Sequence, residues 1–164
     1  EDRCVNLIAT QQPLATDLRT LLSVLHIAVE LERVGDYAEG IGKICLTIAD
    51  DVTTPTPDGI EKMAEVGVYM LRSSLKSLVD RDVDLANQVW DEDDEVDSLY
   101  IDVCRRVFES MAREPQSIQA ATHLLWVAHD LERIADRATN IAERVIFMVT
   151  GQVVPPAGST EDLP

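Results

Sequence analysis

Apolar residues recur in alternating steps of three and four from Val24 through Ile27, Leu31, Val34, Ala38, Ile41 and Cys45 to Ile48. The same rhythm returns 100 positions later at Leu124, Val127, Leu131, Ile134, Ala138, Ile141, Val145 and Met148. A step averaging about 3.5 residues keeps one stripe of a helix apolar over many turns, which no strand can do. Two such stripes predict an all-α chain of bundled helices packed antiparallel through short connections. Composition agrees, with 46% apolar residues and only 4% aromatic. Aliphatic cores of that kind suit helices better than sandwiches or barrels.

The periodicity and its breaks predict helices over about 14–50, 58–79, 82–113 and 116–150. Asp58 with Glu61 has the spacing of a capping box, and Asp82 is the expected cap of the helix after Asp80-Arg81-Asp82. Residues Val52–Asp58 read as a Pro/Thr loop, and Glu114-Pro115 ends the third long helix. Residues 58–150 thus form one complete three-helix bundle, whereas 1–51 are the remnant of a first one. Residues 151–164, with Pro155-Pro156 and Gly158, read as a disordered tail. If the two units are repeats, the chain is expected to be a fragment or a shortened relative.

Thirty acids against 14 Lys plus Arg give a formal charge of −16, which argues against a nucleic-acid footprint. No stretch approaches the run of about 20 apolar residues that crosses a bilayer, and no signal peptide is expected. A soluble protein follows, with any membrane role exercised through a partner. Cys4, Cys45 and Cys104 form no CxxC and are expected to be small buried thiols in a reducing compartment.

Within both apolar stripes lies a repeated hexad, Leu31-Glu32-Arg33-Val34-Gly35-Asp36 and Leu131-Glu132-Arg133-Ile134-Ala135-Asp136. Each holds two carboxylates at i, i+4, one turn apart on one face. Like charges so placed cost a helix about 0.2–0.5 kcal/mol, so their repetition asks for a cause. With Leu31 set at zero and about 100° per residue, Glu32 and Asp36 point near 100° and 140°, away from the apolar seam at roughly 320°. His129, Asn140 and Glu143 continue that polar ridge in the second copy, and Arg33 and Arg133 are placed to steady a neighbouring acid.

A second acidic site is Asp91-Glu92-Asp93-Asp94-Glu95-Val96-Asp97, where Asp93 and Asp97 repeat the i, i+4 spacing. Asp97 and Asp93 stand 17 and 21 residues before Glu114, while Glu132 and Asp136 stand 18 and 22 after it. In an antiparallel unit the two pairs should therefore lie level on adjacent helices. Asp93, Asp97, Glu132 and Asp136 form a candidate platform for a cation, and Glu32 with Asp36 form an incomplete one. Oxygen-only ligation favours Mg, Mn, Ca or Fe over structural zinc. The competing reading is a solvated, self-repelling surface.

Three stretches resemble the PhoU family, the regulators of bacterial phosphate uptake. Gln11-Gln12-Pro13-Leu14-Ala15-Thr16-Asp17-Leu18-Arg19 is similar to its QxPxAxDLR segment at the start of a third helix. Residues 31–36 and 131–136 resemble its two LERxxD motifs, the second followed by Asn140-Ile141; Gly40 stands where many first copies carry Asn. Val96-Asp97 resembles the acid site of its second bundle.

The resemblance implies two similar three-helix bundles, each with a surface multinuclear metal site, at Asp93, Asp97, Glu132 and Asp136 in one and Glu32 and Asp36 in the other. It implies a non-enzymatic, cytoplasmic regulator that binds Mg, Mn or Fe. Such a regulator restrains the phosphate-starvation response through a phosphate ABC transporter's ATPase subunit and a sensor histidine kinase. A homodimer is expected because an incomplete first bundle leaves apolar faces uncovered. Two other classes stay in view. A di-metal helical-bundle enzyme would use Glu-x-x-His, which occurs nowhere in the chain. A purely structural dimerisation bundle would hold no metal at all.

Overall fold

A computed structural model describes residues 1–49 and 56–153. Most of the expected Pro/Thr loop, and the tail beyond residue 153, lie outside the described residues. Those described form six α-helices and one 3₁₀ turn, with no strand. They are α1 (Asp2–Gln11), α2 (Thr16–Ile48), α3 (Ile60–Asp80), α4 (Val83–Asp91), α5 (Asp93–Arg113) and α6 (Ile118–Thr150), with the 3₁₀ turn at Pro115–Ser117.

Helix α6 is the axis of the molecule. Helices α2, α3, α4 and α5 all pack on it, α3 also touches α4 and α5, and among the described residues α2 otherwise meets only the helix α1. Its apolar stripe is consequently closed from every side. Leu124, Val127, Leu131, Ile134, Ala138, Ile141, Val145 and Met148 are all buried. They join Met63, Val66 and Met70 of α3, Ala86 and Val89 of α4, and Val96, Val103 and Val107 of α5. Gly67 faces the α6 backbone, where an added Cβ would make ordinary contact 3.9 Å from the Leu131 carbonyl.

Helix α2 runs antiparallel to α6. Ser23 donates to the Arg144 carbonyl (3.2 Å), and Asn140 donates to Glu30 (3.2 Å). The face it turns to α6 carries Ser23, Ile27, Glu30, Val34, Tyr37, Ile41, Ile44 and Ile48, rotated from the expected seam. Val24, Leu31, Ala38 and Cys45 of that seam are exposed, and of its eight residues Ile27 alone is buried. On this face Glu30 accepts from Arg137 and Asn140 of α6.

Three local expectations are corrected. The 82–113 helix is two helices, broken at Glu92. Restarting at Asp93 places Asp93, Asp94 and Glu95 in a first turn, where the positive end of the helix dipole offsets their mutual repulsion. The capping box at Asp58 does not form. Gly59 takes the N-cap position at φ 113°, where an added Cβ would lie 2.8 Å from Val103, so only glycine fits. Asp58 instead pairs with Arg106 at 3.3 Å. The cysteines are not buried: Cys45 is exposed, Cys4 and Cys104 are half-exposed, and all three are free. The Asp82 cap does form, its carboxylate accepting from the Leu85 amide at 2.9 Å.

Candidate metal centre

The acidic run enters α5 at its first turn, and the second hexad occupies the middle of α6. The hairpin through the 3₁₀ turn sets them side by side. Asp93 accepts from the Thr139 hydroxyl across the interface (3.2 Å), which fixes the register between the two helices. Burial, partly offset by that hydrogen bond, pushes the Asp93 carboxyl up to about 6, and the charges of Asp136, Asp97 and Asp94 add to the rise. The Asp97 carboxyl is raised by burial, then by Glu132 and Asp94, with Arg133 opposing. Asp136 is raised by burial and by Glu132, with Arg133 and Arg137 opposing and Asp97 adding to the rise. These repulsions run from α5 to α6 and back. Asp93, Asp97, Glu132 and Asp136 therefore share one patch of surface at one level of the hairpin.

Glu132 is the most enclosed of the four, with 9% of the residue exposed. Both of its oxygens are held by Arg133, whose Nε donates to Oε2 (2.7 Å) and Nη2 to Oε1 (2.6 Å). The same Nη2 lies 3.0 Å from Asp136 Oδ2. Arg137 approaches that oxygen at 3.6 Å and is itself held by Glu30 of α2 at 3.0 Å. His129 stands 3.9 Å from Glu132, at the outer edge. Beside Asp93 a cavity of about 240 Å³ is lined by Trp90, Asp136, Arg137, Asn140 and Glu143. Burial raises the Glu143 carboxyl and Asp93 adds to the rise, with Arg144 opposing, so a fifth carboxylate borders the group.

Hard oxygen donors from two helices suit a hard cation, but the carboxylates are not drawn into a cage. Among the described residues, no three His, Cys, Asp or Glu side chains stand close enough together to hold a metal ion. A guanidinium, that of Arg133, sits on three of the four oxygens of Glu132 and Asp136. Glu32 and Asp36 stand apart, exposed on α2, and join no such group either. Periodicity alone did not single out Thr139 or Glu30. Their polar side chains on faces turned toward a neighbouring helix were the available signal.

Residues 1–45 and 60–145 match the PhoU domain family. The chain belongs to the PhoU family. It is 42% identical over 154 residues to a Caulobacter vibrioides protein named as a phosphate-specific transport system accessory protein PhoU homolog, covering 93% of this chain and 66% of the relative. A Rhizobium meliloti protein of the same name is 35% identical, covering 92% of this chain and 64% of its own length. The chain thus spans about two thirds of the length of these curated relatives.

Among solved structures, PhoU from Pseudomonas aeruginosa superposes with a TM-score of 0.87 at 31% identity, covering 92% of this chain and 73% of that one. The phosphate transport system regulatory protein PhoU from Streptococcus pneumoniae gives 0.85 at 27% identity, with 93% and 72% covered. The all-α bundle expected from the sequence is thus the fold of PhoU. No described helix is long and apolar enough to cross a membrane.

Proposed function

We propose that this chain is a regulatory module of phosphate uptake that binds a divalent or trivalent cation, Mg, Mn or Fe, at Asp93, Asp97, Glu132 and Asp136. The observation that carries this reading is the level placement of those four carboxylates on two helices, where Asp136 and Glu132 of α6 raise the Asp93 and Asp97 carboxyls of α5, and Asp97 raises that of Asp136. A bound cation supplies positive charge that ties α5 to α6. The chain's own residues set the rest: Thr139 holds Asp93 in register, Arg137 and Glu30 link the patch to α2, and the buried α6 stripe keeps the helices fixed.

The relatives' names support assignment to the phosphate transport system. The role we propose is negative regulation, exercised in the cytoplasm. The partners would be the ATPase subunit of a phosphate ABC transporter and a sensor histidine kinase. Exposed Val24, Leu31 and Leu46 on α2 favour a homodimer, since they leave apolar surface for a second copy to cover. Glu32 and Asp36 would form a second, weaker cation site once another chain segment faces them.

Elemental analysis of protein purified without chelator, with and without added Mn(II), tests the metal. Metal retained by the native chain and lost on Asp136→Asn is expected. Equal content in both variants contradicts the assignment. Capture of the chain by the immobilised transporter ATPase, in competition with the untagged chain, tests the partner. No binding at micromolar concentration removes it.

A further inference from the structure

Helix α5 uses one face for its own bundle and turns an apolar seam to solvent on the other. Val96, Val103 and Val107 are buried in the core. Across the helix, Ile101 and Phe108 are 68% and 58% exposed, two turns apart, with half-exposed Cys104 between them. With Ala112 they line an open groove of about 620 Å³, and Arg105 and Glu109 give it a polar edge. Charge is graded along the same helix. Asp93, Asp94, Glu95 and Asp97 crowd its start, whereas Arg105, Arg106 and Arg113 all lie in its second half. Arg106 is held by Asp102 (2.7 Å) and Asp58 (3.3 Å). Arg105 is neutralised within its own helix by Asp102 and Glu109. Two charges are held only loosely: Glu95 meets Lys62 at 3.6 Å, and Arg113 meets Glu109 at 3.7 Å.

We infer that this seam is the docking surface for α5 of a second copy, packed antiparallel about a two-fold axis between Cys104 and Arg105. The helix is then its own complement. Ile101 and Phe108 stand equally far from that axis, so each copy sets its isoleucine opposite the other's phenylalanine. Glu95 and Arg113 are 18 residues apart, about five full turns, and therefore share one flank of the helix. They also stand at nearly equal distances from the axis. Each Arg113 thus comes level with Glu95 of the other copy, twice in one symmetric contact. A parallel pairing would set acid on acid, so the charge gradient fixes the direction. It also favours a second copy over other faces of this chain: with a formal charge of −16, most of its surfaces would bring carboxylates together. The contact is separate from the exposed apolar residues of α2 and needs no bound cation.

The test combines sedimentation velocity of the full chain over a concentration series with cross-linking by a short bismaleimide, the linked cysteines being mapped by peptide mass. The native chain should form a dimer joined through Cys104 of both copies. Phe108→Ser should weaken that dimer at least tenfold and abolish the Cys104 link. Arg113→Glu and Glu95→Arg should each weaken it several-fold, and the double reversal should recover most of the loss. Should Phe108→Ser fail to fold by circular dichroism, Ile101→Ser carries the same expectation. A chain that stays monomeric up to millimolar concentration overturns the inference. So does a dimer linked through Cys45 or Cys4 and never through Cys104, which would place the contact on α2 or α1. A double reversal that binds more weakly than either single one also overturns it, because Glu95 and Arg113 would then not face each other.

Discussion

Helices α2 and α6 carry nearly the same apolar rhythm and the same hexad, yet one is buried and the other half bare. All eight stripe residues of α6 are buried, whereas α2 buries Ile27 alone of its eight. The difference lies in neighbours. Four helices converge on α6, while α2 has α6 along one face and α1 at its start. A periodic stripe thus records a face able to be buried, and the packing around it decides whether it is. The hexads divide the same way: the α6 copy faces the acids of α5, and the α2 copy faces solvent.

The largest break in that comparison should come from its cores. Ile141→Ala removes a fully buried side chain and should cost about 2–5 kcal/mol, whereas Ile41→Ala, only partly buried, should cost well under half as much. Urea denaturation of both variants checks this, and equal losses would mean that α2 is as enclosed as α6.

Next come the polar ties between the two helices. Glu30 accepts from Arg137, Asn140 and Arg33, so Glu30→Ala strands a nearly buried guanidinium and should cost about 1.5–3 kcal/mol. Asp130→Ala, at the matching place on α6, should be close to neutral without metal. Similar losses from both would show that the two contacts are equivalent after all.

A pH scan without metal separates the acids themselves. The folded Asp93 carboxyl titrates near 6, above its ordinary value of 3.8, so folding opposes its charge at pH 7. The sign is therefore the reverse of a salt-bridged acid. The penalty is relieved as pH falls through 6 and is absent below about 4, and the melting temperature should rise on going from pH 7 to 5. Asp93→Asn should flatten that rise, and Asp36→Asn, on the exposed copy, should leave it as it is.

The smallest effect belongs to Gly40. Gly40→Asn should add about 0.5 kcal/mol, from better helix propensity and an amide that can donate to Asp130. A loss would mean that Asp130 cannot shift by the few tenths of an ångström the new Cβ needs.

Much of this was readable beforehand, and for a common reason. The α6 stripe and the alignment of Asp93 and Asp97 with Asp136 and Glu132 depend only on helical repeat and counted distance from the turn at Glu114. What escaped depends on competition between alternatives of similar local merit. An acidic run can continue a helix or begin one, and at Glu92 the dipole tips the balance. Asp58 can cap a helix or pair with Arg106, and the tight space beside Val103 gives the cap to Gly59. An arginine between two acids can turn either way, and nothing local separates Arg33 from Arg133. Three-dimensional neighbours make those choices.

Arg137 bears on how far a disturbance at the carboxylates can travel. One of its nitrogens lies near Asp136 while another is gripped by Glu30. A single side chain thus spans from the acidic hairpin to the long helix on the far flank. Any event that changes the charge on Asp136 alters the pull on that span, and α2 is informed of it without a hinge or a moving domain.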